Sequence, residues 1–250
     1  MCTVSVIGSS CVLRVVVNRD ELRTRPIALP PQVILRGERQ VLMPIDPASG
    51  GTWLAANDEG LILVMLNRNV AAAASAPAAK VSRGTIIPAI AGAADIVAAA
   101  GAIEAIDLTA VASFRLLIIG RVTLLEMLWD LQRLSLRRHR LGPPIMFTSS
   151  GLGDDLVDKP RRRLFEQVLD EQGPTNTMQD AFHRHHWPDR GHLSVCMSRS
   201  DAQTVSRTVV RRTRGAAVMC YTSIADAPRD CGASSSTKLS LAHSLPCHSH

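Results

Sequence analysis

Short apolar runs separated by turn residues are the feature that most restricts how this chain folds. Residues 3–7 alternate between polar and apolar side chains, and residues 12–17 are mostly β-branched or aliphatic. Between the two runs, Gly8-Ser9-Ser10 has the composition of a turn. Alternation and β-branching are typical of strands, so this segment predicts a β-hairpin.

The same criteria predict further strands and two helices. Residues 89–106 are rich in alanine, and residues 154–169 follow a glycine and begin with two acidic residues, so both are predicted to be helical. Residues 171–190 are expected to form a loop. The remaining predicted strands are residues 61–66, 114–119, 122–131, 145–147, 193–197, 204–210 and 215–221.

The C-terminal segment differs in composition from the rest of the chain. Residues 222–250 are rich in serine, histidine, alanine and proline and show little periodicity, which predicts a disordered tail. Residues 1–221 contain no visible repeat and no linker between balanced halves. We therefore predict a single domain over residues 1–221.

Composition excludes one class of partner. The chain has 250 residues, of which 46% are hydrophobic, so it can bury a full core. Its net charge of +6 suits an anionic partner, yet aromatic residues make up only 3% of the chain. Since single-stranded nucleic acid usually stacks on aromatic side chains placed among basic ones, we predict no nucleic-acid partner.

No segment has the pattern of a membrane span or of a signal peptide. The most apolar long region, residues 85–106, is interrupted by Pro88, Asp95 and Glu104. The N-terminus lacks a basic segment followed by an apolar run and a cleavage site, and Arg14 interrupts its apolar stretch. We predict a cytoplasmic protein with no transmembrane segment.

A polar tetrad at residues 18–21 ends the second strand of the predicted hairpin. A turn at residues 9–10 would place Val17 opposite Cys2, and facing side chains in such a ladder lie about 5 Å apart. The tetrad is therefore predicted to lie beside Cys2.

Cys2 combines two reactive groups if the initiator Met1 is removed, and a small second residue permits that removal. The exposed α-amine, with a pKa of about 7.7–8.0, can take the proton from a thiol with a pKa of about 8.5. One residue then supplies both nucleophile and base. A cation such as Arg19 would favour the thiolate, and the Asp20 carboxylate could orient the amine.

Several short blocks occur in the order seen in one family. The chain resembles the NRDE family, which includes the Transport and Golgi Organisation protein two relatives. The likeness covers roughly residues 1–170 and extends more thinly to Tyr221. It rests on Met1-Cys2, residues 18–21, Arg25-Pro26, residues 50–54, Asn67, residues 82–84, residues 147–154 and residues 163–165.

The resemblance implies an α+β fold, a four-layer αββα sandwich of antiparallel sheets of the N-terminal-nucleophile hydrolase type. It implies Cys2 as the nucleophile, with Arg19 and Asp20 near it and Asn67 as an oxyanion-hole amide. The expected reaction is hydrolysis of an amide or related acyl bond of a small molecule, with no cofactor and no metal. The resemblance leaves four loose candidates for the later polar residues of such a site: Ser149, Ser150, Arg199 and Arg207.

Other interpretations of the same residues stay open. The protein could keep the fold without turnover and bind or traffic a lipid-derived or haem-like ligand. Arg19 and Asp20 could form an ion pair that stabilises the strand end, and Asn67 could bond a loop backbone. Nothing in the sequence indicates an oligomeric state.

Three further motifs favour structural roles. Residues 50–53 are interpreted as a turn leading to a core tryptophan rather than as a substrate platform. Residues 183–186 (HRHH) lack an acidic or cysteine ligand at metal-binding spacing and are expected in a solvated loop. The basic run at residues 159–163 is expected on a solvated helix face.

Overall fold

A computed structural model of the chain describes residues 2–8, 11–69, 81–170, 174–224 and 234–242. The strands are β1 (Cys2–Gly8), β2 (Leu13–Leu22), β3 (Leu29–Arg36), β4 (Arg39–Ile45), β5 (Leu54–Asn57), β6 (Ile62–Asn67), β7 (Phe114–Ile119), β8 (Thr123–Trp129), β9 (Leu134–Arg140), β10 (Ile145–Thr148), β11 (Ala202–Arg212), β12 (Ala216–Ser223) and β13 (Ser234–Ser240). The α-helices are α1 (Ile86–Ile90), α2 (Ile96–Glu104), α3 (Asp154–Asp170) and α4 (Asn176–Arg184).

The strands form two antiparallel sheets. The first sheet has the order β10-β1-β2-β11-β12-β13, and the second has the order β3-β4-β5-β6-β7-β8-β9. The sheets pack face to face because strand side chains alternate between two faces and the inner faces are apolar. Val4 and Val15 from the first sheet share this core with Ile62 and Leu117 from the second.

Helices cover the outer faces of both sheets. Ile87 of α1 and Ile103 of α2 pack with Leu116 of the second sheet. On the other side, Phe165 of α3 and Phe182 of α4 lie in one cluster with residues of the first sheet. The predicted α+β fold, a four-layer αββα sandwich, is confirmed.

The predicted hairpin forms, but its register was wrong by two residues. Gly8 pairs with Leu13, and Cys2 pairs with Arg19 rather than with Val17. The connection is thus longer than the assumed two-residue turn. Because side chains alternate along a strand, a shift of two residues keeps each side chain on its predicted face, and it brings Arg19 directly opposite Cys2.

The predicted helix at residues 89–106 is two helices, α1 and α2. Gly92 lies between them, and a Cβ there would be 2.6 Å from the Arg36 carbonyl oxygen, so the chain passes close to β3 at this point. Asp95 then begins α2 as its N-cap, accepting hydrogen bonds from the backbone of Val97 and Ala98. Within the described part of the chain, no helix has the length and apolar character that crossing a membrane requires.

Two other predictions were wrong. The predicted loop at residues 171–190 contains α4, which begins where the Thr175 side chain accepts a hydrogen bond from Met178. The predicted strand at residues 193–197 does not form, because Leu193 ends a 3-10 turn, Gly191–Leu193, and residues 194–197 lie outside the strands.

Part of the predicted disordered tail is an edge strand. β12 extends to Ser223, and β13 pairs with it over Ser234–Ser240. In β13 only Leu239 is buried, so the strand shows little alternation of apolar and polar side chains. The strand is held by backbone pairing with β12, which the sequence of residues 234–240 does not indicate. Residues 225–233 and 243–250 of that tail lie outside the described residues. The single domain over residues 1–221 stays a prediction.

His183 joins α4 to the first sheet and is fully buried, so its predicted place in a solvated loop was wrong. Its Nε2 lies 2.7 Å from the Ser5 Oγ, and its Nδ1 lies 3.1 Å from the Asn18 Oδ1. Asn18 donates its amide hydrogens to the carbonyls of His183 and Val195, so its Oδ1 is an acceptor. His183 therefore donates from Nδ1 and accepts from the Ser5 hydroxyl as a neutral imidazole.

We expect His183 to make the protein less stable as the pH falls below about 6.5. Burial, together with the charges of Arg207, Arg14 and Arg161, lowers the pKa of His183 well below its ordinary value. The unfolded chain takes up this proton below about pH 6.5 while the folded chain does not, so unfolding is favoured by up to about 1.4 kcal/mol per pH unit. The contribution of His183 to the free energy of unfolding is fully present above that pH and decreases below it.

Urea unfolding at about pH 7.5 and about pH 5.5 measures this effect. The variant His183→Gln should show a weaker loss of unfolding free energy between the two pH values. The matched variant His192→Gln, which changes an exposed histidine, should behave like the wild-type protein. Equal pH dependence in His183→Gln and the wild type would contradict the prediction.

Candidate active site

A cavity of about 490 Å³ opens at the end of the first hairpin, between the two sheets. It is lined by all four predicted site residues, Cys2, Arg19, Asp20 and Asn67. Its volume lies in the usual range for small-molecule sites, roughly 300–1,000 Å³. The other lining residues are Glu21, Arg25, Asp46, Ser49, Thr52, Trp53, Met65, Val81, Ser82, Arg83, Gly84 and Ala112.

Cys2 is held on both sides because β1 lies between β2 and β10. It pairs with Arg19 on β2. On the other side, the Ser149 backbone donates to the Cys2 carbonyl at 2.9 Å, and the Cys2 nitrogen donates to the Ser149 Oγ at 3.2 Å. That nitrogen is the atom that becomes the α-amine if Met1 is removed, so Ser149 contacts the predicted base.

The environment of Cys2 disfavours a free thiolate. Burial raises the pKa of the Cys2 thiol above its ordinary value, and the charges of the N-terminal amine and of Arg19 only partly oppose that shift. A thiol with a raised pKa is protonated at neutral pH. Cys2 therefore needs a nearby proton acceptor to become a nucleophile.

Arg19 is fixed between an indole and two carboxylates. Its guanidinium lies over the Trp53 ring, 4.3 Å from the centroid. It donates to the Asp46 Oδ2 at 3.1 Å and lies 3.5 Å from the Glu21 Oε2. Arg19 is only 5% exposed. Its contacts with Trp53, Asp46 and Glu21 hold its charge beside Cys2.

Asp46 joins Arg19 to a second arginine and was not found by sequence reasoning. Arg25 donates to the Asp46 Oδ2 at 2.6 Å. Although burial raises the pKa of Asp46, the hydrogen bond from Arg25 and the charge of Arg19 lower it overall. The Asp46 Oδ1 also accepts from the backbone of Ala48 at 3.0 Å. The sequence signal was the turn composition of residues 46–50 after a strand, which does not by itself indicate a site.

Asp20 lies on the opposite strand face from Arg19. The Thr204 hydroxyl donates to its Oδ1 at 2.6 Å, across a bulge in the pairing between Thr204 and Ser206. Burial raises the pKa of Asp20, and the charge of Arg161 opposes that shift. Both Arg19 and Asp20 still line the cavity.

Gly51 lets two of the family-like blocks touch. The Thr52 backbone donates to the Gly84 carbonyl at 3.0 Å. A Cβ at Gly51 would lie 2.4 Å from that same oxygen, so a side chain there would clash with it. Trp53 follows directly and is 7% exposed. It belongs to the core, as predicted, and it also lines the cavity under Arg19.

Asn67 ends β6 and faces Phe114 on β7. It is half-buried and lines the cavity. Within the described residues its side-chain amide has no hydrogen-bond partner, so it makes no bond to a loop backbone there. An amide with unused N–H groups in the cavity can donate to a substrate oxygen.

Of the four loose candidates, Ser149 alone has a described contact with Cys2. Ser150 lies in the turn before α3, where its Oγ accepts from the Leu152 backbone at 3.2 Å. Arg199 forms an ion pair of 2.6 Å with the Asp201 carboxylate. Arg207 is buried in β11 opposite Asn18.

One known family matches most of the chain. The family model described as Transport and Golgi organisation 2 matches residues 1–224. The chain belongs to this family. The family resemblance predicted from the short sequence blocks is confirmed. No curated protein matches the sequence significantly.

Solved structures of similar fold extend the comparison beyond the family. A Caenorhabditis elegans N-acylethanolamine-hydrolyzing acid amidase ortholog is 14% identical, with a TM-score of 0.55, and the match covers 84% of this chain and 92% of that chain. A mutant conjugated bile acid hydrolase from Clostridium perfringens is 12% identical, with a TM-score of 0.53 and coverage of 95% and 96%. At these identities the likeness establishes the N-terminal-nucleophile hydrolase fold.

Proposed function

We propose that this member of the Transport and Golgi organisation 2 family is an N-terminal-cysteine hydrolase that cleaves an amide or related acyl bond of a small molecule. The observation that carries the proposal is the convergence of Cys2, Arg19, Asp20 and Asn67 on one cavity. The two similar structures support it, because each of those proteins is named for hydrolysis. We further propose that the protein acts in the cytoplasm.

The proposed reaction needs Cys2 with a free α-amine. The amine takes the thiol proton, and the thiolate then attacks the substrate carbonyl carbon. The carbonyl electrons move to the oxygen, which the Asn67 amide stabilises by donating a hydrogen bond. When the tetrahedral intermediate collapses, the protonated amine gives its proton to the leaving nitrogen. Water then hydrolyses the acyl-enzyme and frees the thiol.

The surrounding charges have supporting roles in this scheme. Arg19 favours the thiolate by its charge, and the contacts with Trp53 and Asp46 keep it in position. Asp20 is held by Thr204 and orients the amine. Ser149 accepts a hydrogen bond from the same nitrogen and limits its rotation.

We expect Met1 to be absent from the protein isolated from its natural host at low expression. Intact-mass spectrometry distinguishes the loss of one methionine, and the N-terminal peptide identifies Cys2 as the first residue. A protein that retains Met1 throughout has no α-amine at Cys2, so the proposed base would not exist. Retention together with measurable ligand binding would favour a binding or trafficking protein that keeps the fold.

A further inference from the structure

Three arginines, Arg19, Arg25 and Arg83, are the cationic side chains in the described lining of the cavity. Two of them are neutralised by nearby carboxylates. Arg19 contacts Asp46 at 3.1 Å, and Arg25 contacts the same residue at 2.6 Å. Glu21 lies within 3.6 Å of Arg25 and 3.5 Å of Arg19.

Arg83 differs from the other two arginines. Its Nη1 donates to the Ser113 carbonyl at 3.0 Å. Among the described residues, no carboxylate lies within ion-pair distance of its guanidinium. Since a guanidinium has five N–H donors, most of them remain for a ligand. Arg83 is half-buried; burial lowers its pKa, and the charge of Glu21, which lines the same cavity, partly opposes that shift.

The backbone around Arg83 is held in place. The Ser82 Oγ accepts a hydrogen bond from the Gly84 backbone at 3.2 Å, and Thr85 donates its hydroxyl to the Ser82 carbonyl at 2.8 Å. The Gly84 carbonyl accepts a hydrogen bond from the backbone of Thr52, which also lines the cavity. Arg83 thus presents its charge from a short 3-10 turn with bonds on both sides.

We propose that Arg83 binds a carboxylate of the substrate, so that the preferred substrates are amides or related acyl compounds that carry an anionic group away from the scissile bond. This inference rests on the proposed function, in that the same cavity holds the nucleophile. A planar carboxylate matches the donor fork of a guanidinium and can accept two hydrogen bonds from it. Arg83 is then a specificity-determining residue, and Cys2 remains the group that reacts.

Binding to the Cys2→Ala variant tests the proposal without any turnover. The probes are decanoyl amides of glycine, β-alanine and γ-aminobutyrate, which vary the spacing to the carboxylate, each compared by calorimetry with its neutral carboxamide. We expect at least one acid to bind at least about tenfold tighter than its carboxamide. The preference should be lost in Cys2→Ala/Arg83→Gln and partly restored in Cys2→Ala/Arg83→Lys.

The matched control is Cys2→Ala/Arg138→Gln, which removes the same charge from an exposed position on β9, outside the cavity lining. It should keep the full preference. Thermal unfolding of each variant shows whether the fold survives. Equal affinity for every acid and its carboxamide, no binding of any acid, or a preference that survives Arg83→Gln would overturn the proposal. The comparison of acid with carboxamide needs no Arg83 variant, so equal affinity for both would overturn the proposal even if Arg83→Gln does not fold.

These results separate the inference from the proposed function. A preference for the acids in Cys2→Ala, combined with no hydrolysis of any amide by the wild-type protein, would support the Arg83 site and reject the hydrolase. Hydrolysis of amides that depends on Cys2, without any preference for the acids, would support the hydrolase and reject the Arg83 site.

Discussion

Replacing Cys2 with alanine is expected to reduce hydrolysis of an amide or thioester substrate by at least about 10³-fold, to the background rate. Alanine has no nucleophilic atom, so no acyl-enzyme can form. It is also small enough to permit removal of Met1, so the variant keeps the free α-amine. Any decrease in the rate of hydrolysis then results from the loss of the thiol alone. Initial rates with a panel of amides and thioesters measure the effect.

Two further variants sharpen the test. Cys2→Ser keeps a nucleophilic atom in the same place and should retain slow turnover. Cys220→Ala removes a free thiol on β12, outside the cavity lining, and should leave the rate unchanged. Wild-type turnover in Cys2→Ala would show that Cys2 is not the nucleophile. Unchanged ligand affinity in Cys2→Ala, with no turnover by the wild type, would favour a binding protein.

Replacing Arg161 with alanine is expected to lower the free energy of unfolding by about 3–5 kcal/mol. Arg161 lies in α3 and is only 1% exposed. Its Nη1 donates to the hydroxyls of Thr3 and Thr148 at 2.7 Å each, and its Nε donates to the Leu193 carbonyl at 3.0 Å. Truncation leaves buried acceptors without their donor and opens a cavity between α3 and the first sheet.

The neighbouring arginine is a matched control for this prediction. Arg162 is exposed and forms an ion pair of 2.8 Å with Asp158 one turn earlier in α3. Exposed pairs of this kind contribute about 1 kcal/mol or less, so Arg162→Ala should have a small effect. Urea unfolding of both variants at neutral pH measures the difference. A similar loss of stability in the two variants would refute the structural role assigned to Arg161.

The basic run at residues 159–163 shows why sequence patterns find some buried residues and miss others. The sequence predicted a solvated helix face, and that holds for the exposed Arg162. For Arg161 it was wrong, because a charged side chain can be buried where hydrogen-bond acceptors from other elements surround it. Those acceptors belong to β1, β10 and the segment before β11, and nothing in the local run of arginines indicates them. The burial of His183 was missed for the same reason.

The candidate site divides in a similar way. Cys2, Arg19 and Asp20 could be placed together from the hairpin alone, because the strands that carry them are adjacent in sequence and in space. The error of two residues in the register did not matter, since it preserved the strand faces. Asp46 was missed, and Ser149 was only one of four loose candidates. Asp46 is 27 residues from Arg19 along the chain, and Ser149 is 147 residues from Cys2.

The sequence by itself determined the strand-rich fold and the chemical groups of the first hairpin, because alternation of apolar side chains and residue chemistry are local properties. The tertiary structure alone decided which groups surround them. It placed Trp53 under Arg19 and left Arg83 in the cavity without a described carboxylate partner. It also decided that β13 completes the first sheet. These outcomes depend on contacts between segments far apart in the chain, and such contacts leave no periodic pattern in either segment.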